Sequence, residues 1–150
     1  MNTFIKAGEV LHKKRQGFIA IHPDAMAYDA LELMSERNIG ALLVMEDARL
    51  VGLFSERDYA RKVILKGRSS KSTSVRELMS TPAVTITPET SLRDAMVLMT
   101  DKRIRHLPVV AESRVLGVVT IGDVVSALVS EQDATIEELE EYIAGTGYRA

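Results

Sequence analysis

Two short stretches of the chain place a hydroxyl side chain three residues before an aspartate. They are Ser55-x-x-Asp58, within GLFSERD, and Thr120-x-x-Asp123, within GVVTIGD. If each stretch opens a helix, the hydroxyl accepts a hydrogen bond from a first-turn N–H and the acid completes a capping box. The same groups suit a ligand, because a helix N-terminus attracts anions and a carboxylate can accept both hydroxyls of a ribose. The spacing therefore indicates helix caps, to which nucleotide contacts can be added.

The two stretches are parts of a longer internal repeat. Residues 19–58 align with residues 84–123 at a constant offset of 65 positions without a gap, and 12 of the 40 aligned pairs are identical. The identical pairs include Pro23 with Pro88 and Gly52 with Gly117. An ungapped match of this length indicates a tandem duplication.

Each copy predicts the element order β-α-β-β-α. A first strand (19–21 and 84–86) ends at a proline, which cannot donate a ladder hydrogen bond. A helix with apolar residues at helical spacing follows, and then two β-rich runs joined by a short polar turn, which predict a hairpin. The second helix begins after the hydroxyl residue. Leu and Met stripes on the helices indicate core or a dimer face.

These elements predict an α/β (α+β) fold of two repeats that are related by a pseudo-twofold axis and share a core. The boundaries we expect are 1–72 for the first repeat with an N-terminal helix and 73–134 for the second repeat. An acidic C-terminal helix and tail are expected over 135–150, where Thr135-x-x-Glu138 forms a further capping box.

The composition excludes several classes of function. The 150 residues carry a net charge of −2 and 5% aromatic residues, which argues against nucleic-acid binding. The apolar runs are too short to cross a membrane, and no signal peptide precedes them, so a cytoplasmic protein is expected. Cysteine is absent and the three histidines are scattered, so we expect no catalytic residues and no metal site. The segment 57–71 is basic and suits a solvated helix face or an anion contact.

The ordered features in both copies, together with RIRHLPVV at 103–110, closely resemble CBS domains, named after cystathionine β-synthase. The resemblance covers roughly residues 10–130 and takes the form of a stand-alone tandem pair, or Bateman module. It implies a sensor that binds an adenosine ligand in clefts between the repeats and signals to an effector protein. AMP, ADP, ATP, S-adenosylmethionine and NAD(H) are the ligands it implies, and a homodimer is the assembly it implies.

The resemblance also implies roles for particular residues. Asp58 and Asp123 would hold ribose hydroxyls, and Ser55 and Thr120 would contact phosphate or ribose oxygens. Contacts with phosphate would come from Arg57, Arg103, Arg105 and His106. Adenine would lie against the first-strand segments, which are Ile86, Thr87 and Pro88 in the second copy and residues 21–23 in the first. Arg57 at a helix start opposes the helix dipole, so an anionic partner would suit it.

Two alternatives remain beside the sensor. His106 is also compatible with an ordinary strand-edge histidine, and the whole module with a ligand-free scaffold or dimerisation unit. Gly40 and Ala41 occupy the positions of Arg105 and His106 in the first copy, and Gly122 occupies that of Arg57 in the second. We therefore expect two clefts that handle phosphate charge differently.

Overall fold

The computed structural model describes residues 5–14 and 17–130, and it contains two β-α-β-β-α units preceded by a helix. The elements of the N-terminal half are α1 (Ala7–Lys14), β1 (Ala20–Ile21), α2 (Ala27–Arg37), β2 (Ala41–Glu46), β3 (Arg49–Ser55) and α3 (Glu56–Tyr59), which continues as a π-helix (Ala60–Ile64). Those of the C-terminal half are α4 (Val75–Leu78), α5 (Leu92–Lys102), β4 (His106–Ala111), β5 (Arg114–Thr120) and a helix over 121–130, here called α6.

Each repeat is built on an antiparallel hairpin. β1 pairs in parallel with β2, and β2 pairs antiparallel with β3. In the second repeat β4 pairs antiparallel with β5, and Ile86 forms a parallel bridge to Val109 where β1 stands in the first repeat. The predicted first strands are therefore shorter than expected. The hairpins, the helices and their order agree with the prediction.

The two hairpin turns share one backbone conformation. Asp47 and Ala48 have φ of 51° and 63°, and Glu112 and Ser113 have φ of 51° and 62°. Positive φ at both central residues matches the right-handed twist of the strands. No glycine relieves the cost of this conformation at either turn, and the same solution in both copies reflects the duplication.

The buried residues form two clusters, where the sequence suggested one shared core. The first contains Phe54 and Met34 with Val75 and Leu78 of α4, and the second contains Leu107 and Met99 with Ala7 of α1. Each repeat is thus completed by a short helix that lies outside its own β-α-β-β-α unit.

The N-terminal helix packs on the second repeat, although it precedes the first in the chain. Backbone hydrogen bonds join Ala7 N to Thr90 O (2.8 Å) and Gly8 N to Pro88 O (2.9 Å). Leu11 covers Gly117 of β5 so closely that a Cβ on Gly117 would lie 2.8 Å from Leu11 Cδ2. The chain therefore crosses from the second repeat to the first between α1 and β1.

Two expectations concern other parts of the chain. The predicted C-terminal helix and its Thr135–Glu138 capping box lie outside the described residues. Among the residues that are described, no helix is both long and apolar enough to cross a bilayer.

Candidate ligand cleft between the repeats

A cleft of about 750 Å³ opens where the two hairpins and the end of α1 meet. Its lining comes from both repeats and from α1: Lys14, Gly17, Phe18, Ile19, Arg37, Asn38, Ile39, Gly40, Ala41, Leu42, Leu43, Leu53, Arg105, His106, Val118, Thr120, Ile121 and Gly122. The lining combines apolar residues of β2, β3 and β5 with polar residues from the ends of α1 and α2 and from the second repeat.

The charge of this cleft is positive. Lys14, Arg37 and Arg105 line it, and no carboxylate is found among its described lining residues. Such a lining favours an anion, because three cations share one concave surface. Arg105, His106 and Thr120, all proposed from the sequence, meet here.

Thr120 and Asp123 close the start of α6 as a reciprocal cap. Asp123 N donates to Thr120 Oγ1 (3.2 Å), and Thr120 N donates to Asp123 Oδ2 (2.8 Å). The capping interpretation of this pair is confirmed. Within residues 5–14 and 17–130, no donor reaches the second carboxylate oxygen, Oδ1, so the acid keeps acceptor capacity beyond the cap.

Lys14 is a member of the site that the sequence did not suggest. Its ammonium lies 3.1 Å from Asp123 Oδ2 and 3.2 Å from the carbonyl oxygen of Val118, to which it donates. Both side chains of the pair are mostly buried, at 24% and 18% exposure. Because Lys14 lies outside the duplicated segment, no repeat or motif pointed to it.

His106 lines the cleft and is half-buried. A Cβ on Gly40 would lie 3.7 Å from its Cε1. Burial lowers the pKa of His106, the positive charges of Lys14 and Arg105 lower it further, and Asp123 opposes them. The imidazole is therefore held neutral at pH 7, with its hydrogen-bonding nitrogens in an electropositive surrounding.

Ser55 and Asp58 form the equivalent cap at α3, but their surroundings differ. Asp58 N donates to Ser55 Oγ (3.1 Å), and Ser55 N donates to Asp58 Oδ2 (3.0 Å), so this capping box is confirmed as well. Asp58 Oδ1 lies 3.3 Å from Lys62 Nζ and accepts from Ser80 Oγ at 3.3 Å. Both carboxylate oxygens are thus engaged within the first repeat, and neither residue lines the cleft.

Arg57 and Arg103 are brought together, outside the cleft lining. Arg57 Nη1 donates to the carbonyl oxygen of Arg103 at 3.1 Å. Arg103 ends α5 with φ of 55°, as Asn38 ends α2 with φ of 53°. In this structure the pair links the start of α3 to the end of α5.

Ile86, Thr87 and Pro88 lie on the α1 side of the second repeat. Ile86 is buried in the core, Thr87 is exposed, and Pro88 contacts Gly8. The cleft lining contains residues 17–19 of the first repeat, which immediately precede β1, in place of these predicted residues. None of these three residues is among those that line the cleft together with Thr120.

One further group of side chains has the composition of a metal site. The ligand atoms of His22, Asp24 and Glu46 lie within 4.8 Å of one another. Arg76 occupies this group, with Nη2 3.1 Å from Asp24 Oδ1 and 2.6 Å from Glu46 Oε2. Because the guanidinium already neutralises both carboxylates, the arrangement is an ion-pair network joining α4 to the first repeat.

The CBS domain family model matches twice, at residues 7–64 and 75–130. The chain is 48% identical over 130 residues to the mitochondrial CBS domain-containing protein CBSX3 of Arabidopsis thaliana, which covers 83% of this chain and 63% of that protein. This chain thus spans less than two thirds of that relative.

Solved structures share the fold. The CBS-domain containing protein ATU1752 of Agrobacterium tumefaciens superposes with a TM-score of 0.78 and 31% identity, over 81% of this chain and 98% of that one. A hexameric CBS-CP12 protein from bloom-forming cyanobacteria superposes with a TM-score of 0.75 and 25% identity, over 98% and 92% of the two chains. The chain belongs to the CBS domain family and contains a tandem pair of its domains. CBS domain proteins are generally regulatory, and nucleotide binding is common among them.

Proposed function

We propose that this protein is a regulatory sensor that binds a phosphorylated adenosine nucleotide in the cleft between its repeats. The observation that carries the proposal is the union of two features in one cavity. The cations Lys14, Arg37 and Arg105 line it, and the Thr120–Asp123 cap stands at its edge. Phosphate suits the first feature and a ribose diol suits the second.

The apolar wall supports the third part of such a ligand. Phe18 and Ile19, which precede β1, line the cleft together with Leu42 of β2 and Val118 of β5. A planar base can bury its faces on such a surface, while backbone groups of 17–19 read its edge. AMP is the simplest ligand with all three parts. ADP, ATP, NAD(H) and S-adenosylmethionine share its adenosine.

The two clefts are proposed to be unequal. Asp123 retains an acceptor within the described residues, whereas both oxygens of Asp58 are engaged by Ser55, Lys62 and Ser80. We therefore assign the principal site to Asp123 and a weaker one to Asp58. Arg57 and Arg103 stay candidates for the weaker site, as do Ile86, Thr87 and Pro88.

The proposed output is a change in contact with a partner. A ligand shifts a conformational equilibrium only by its differential affinity for the two states. A ligand in a cleft between two repeats contacts both of them, so its affinity depends on how the repeats are arranged. An effector protein is proposed, of unidentified kind. A cytoplasmic location stays a prediction of the sequence.

Homodimerisation is proposed with it. Ile121, Val125 and Val129 recur at every fourth position of α6 and are 39%, 52% and 51% exposed. Such a stripe suits burial against a second copy. Light scattering tests this, since Val125→Glu should lower the mass of the wild-type assembly and Ser126→Glu should not.

Thermal unfolding with a ligand panel tests the proposed function. AMP, ADP, ATP, NAD⁺, NADH and S-adenosylmethionine are compared on the wild type, Asp58→Ala and Asp123→Ala. A ligand at a hundred times its Kd adds about 2.7 kcal/mol, or roughly 5–11 °C for a chain of this length. A shift that disappears in Asp123→Ala supports the sensor. The absence of any shift would leave the ligand-free scaffold as the better account.

A further inference from the structure

α1 contributes one charged side chain to a cleft that otherwise belongs to the repeats. Lys14 is the last residue of that helix and lines the cleft, whereas Asp123, its ion-pair partner at 3.1 Å, is not among the lining residues. The lining thus includes Lys14 but not Asp123, and Asp123 Oδ2 accepts from the ammonium of Lys14 and from Thr120 N.

The position of Lys14 is fixed by packing around it. Leu11, one turn earlier, lies against Gly117, and Lys14 Nζ also donates to Val118 O at 3.2 Å. Both anchoring positions lie on β5, which leads directly into Thr120. The ammonium is therefore held beside the proposed ribose site, Asp123 of α6, by the strand that immediately precedes that helix.

The first repeat has no equivalent device. There Asp58 is paired with Lys62, which lies one turn later in the same helical segment and donates to Leu78 O at 2.8 Å. Lys62 is not among the residues that line the cleft. Asp123 is therefore paired with a lysine from a separate element, α1, whereas Asp58 is paired with a lysine of its own helical segment.

We propose that Lys14 selects phosphorylated adenosine ligands by exchanging partners: it pairs with Asp123 in the empty cleft and transfers to the ligand phosphate when the ribose diol takes Asp123. This inference rests on the proposed function and deepens it. A ribose diol that engages both carboxylate oxygens finds Oδ1 open but must displace Lys14 from Oδ2. A neutral nucleoside displaces Lys14 without offering it a new anion, whereas a ligand phosphate gives the ammonium a new partner. The exchange also makes the end of α1 respond to occupancy.

The test compares AMP with adenosine by isothermal titration calorimetry on the wild type, Lys14→Gln and Lys13→Gln. Lys13 is the neighbouring lysine of α1; it is exposed and does not line the cleft, so it controls for the loss of one positive charge. In Lys14→Gln, AMP affinity should fall roughly 10- to 100-fold, the loss expected for a hydrogen bond between charged groups. Adenosine affinity should stay equal or rise, because its competitor for Asp123 is gone.

The outcomes separate this inference from the proposed function. If AMP binds the wild type and Lys14→Gln changes AMP and adenosine affinity by the same factor, the partner exchange is wrong and the sensor stands. If neither compound binds the wild type, the proposed function fails first. Lys14→Met serves as a second variant, and urea unfolding of each protein confirms that a lost affinity is not lost folding.

Discussion

Gly40 of the first repeat lies directly against His106 of the second, so that a Cβ on Gly40 would stand 3.7 Å from His106 Cε1. The duplication aligns Gly40 with Arg105, the residue before His106. The second repeat thus carries an arginine at the position where the first repeat has a glycine. Because Gly40 has no side chain, space remains in the cleft beside His106.

Filling that space should block ligand binding without unfolding the protein. We expect Gly40→Met to weaken AMP binding by about 1–3 kcal/mol, roughly 5- to 150-fold, because the new side chain occupies ligand volume. The contacts of a Cβ at this position are of ordinary length, so the fold should tolerate it. Calorimetry measures the affinity, and Ala60→Met, at an exposed position outside the cleft, is the matched control. Wild-type affinity in Gly40→Met would contradict the assignment.

Removing the hydroxyl of either helix cap should lower folding stability by the same amount, but only one of the two changes should weaken AMP binding. Ser55→Ala and Thr120→Ala each remove a hydroxyl that accepts a backbone N–H, at a cost of about 1 kcal/mol. Urea unfolding measures that loss. Only Thr120→Ala should also weaken AMP binding, because only Thr120 lines the cleft. Thr120→Ser keeps the hydroxyl and should behave as wild type; equal binding losses at both caps would refute the unequal sites.

The pH dependence of stability should contain a contribution from His106. Burial lowers its folded pKa below the unfolded value of 6.5, with Lys14 and Arg105 acting in the same direction and Asp123 against them. Above this value both states hold a neutral imidazole, and the contribution is fully present. As the pH falls through 6.5, the unfolded chain takes up the proton first, and stability is lost until the folded pKa is passed.

Urea unfolding between roughly pH 8 and pH 5 detects this contribution. The wild-type free energy of unfolding should fall more steeply below the unfolded pKa than that of His106→Gln. His22→Gln removes an exposed imidazole and controls for the substitution itself. Parallel curves for the wild type and His106→Gln would show that folding does not lower the pKa of His106.

The equivalent glycines of β3 and β5 should differ in their tolerance of alanine. A Cβ on Gly52 would lie 2.8 Å from Met79 Sδ and also 2.8 Å from the backbone oxygen of Ser80, which is paired with β3. On Gly117 it would meet only the end of the Leu11 side chain at that distance. Overpacking costs about 1–3 kcal/mol.

We expect Gly52→Ala to fall at the upper end of this range and Gly117→Ala at the lower end, because a side chain can rotate away and a paired backbone cannot. Urea denaturation of both variants gives the comparison. A larger loss at Gly117 would mean that α1 is held on β5 more rigidly than its contacts indicate.

The sequence predicted the repeats and caps because the duplication preserved local signals. The offset of 65 positions found both hairpins and both capping boxes, whose residues lie within a few positions of each other. It did not predict Lys14, which lies 109 positions from Asp123 and outside the repeat. The sequence also suggested one shared core, whereas the buried residues form two clusters. The packing of α1 on the second repeat is a tertiary contact that no local sequence pattern indicates.

Contacts between distant parts of the chain also explain why the sequence did not identify the residues before β1 as cleft residues. It pointed instead to Ile86, Thr87 and Pro88 and to the equivalent residues 21–23, because neither segment alone shows which residues lie near the cap. The fold places 17–19, a few residues earlier and in the other repeat, beside Thr120. Contacts between copies depend on how the hairpins face each other, which the alignment of one copy on the other does not contain.

We propose that the cleft beside Asp123 binds a phosphorylated adenosine nucleotide. Calorimetric titration of AMP into the wild type, Asp123→Asn and Asp58→Asn tests this proposal most directly, because asparagine keeps the shape of each side chain and removes its charge. We expect binding to the wild type, a loss of at least about tenfold in Asp123→Asn, as for a hydrogen bond to a charged group, and little change in Asp58→Asn. Equal binding by the wild type and Asp123→Asn, or a loss confined to Asp58→Asn, would contradict it.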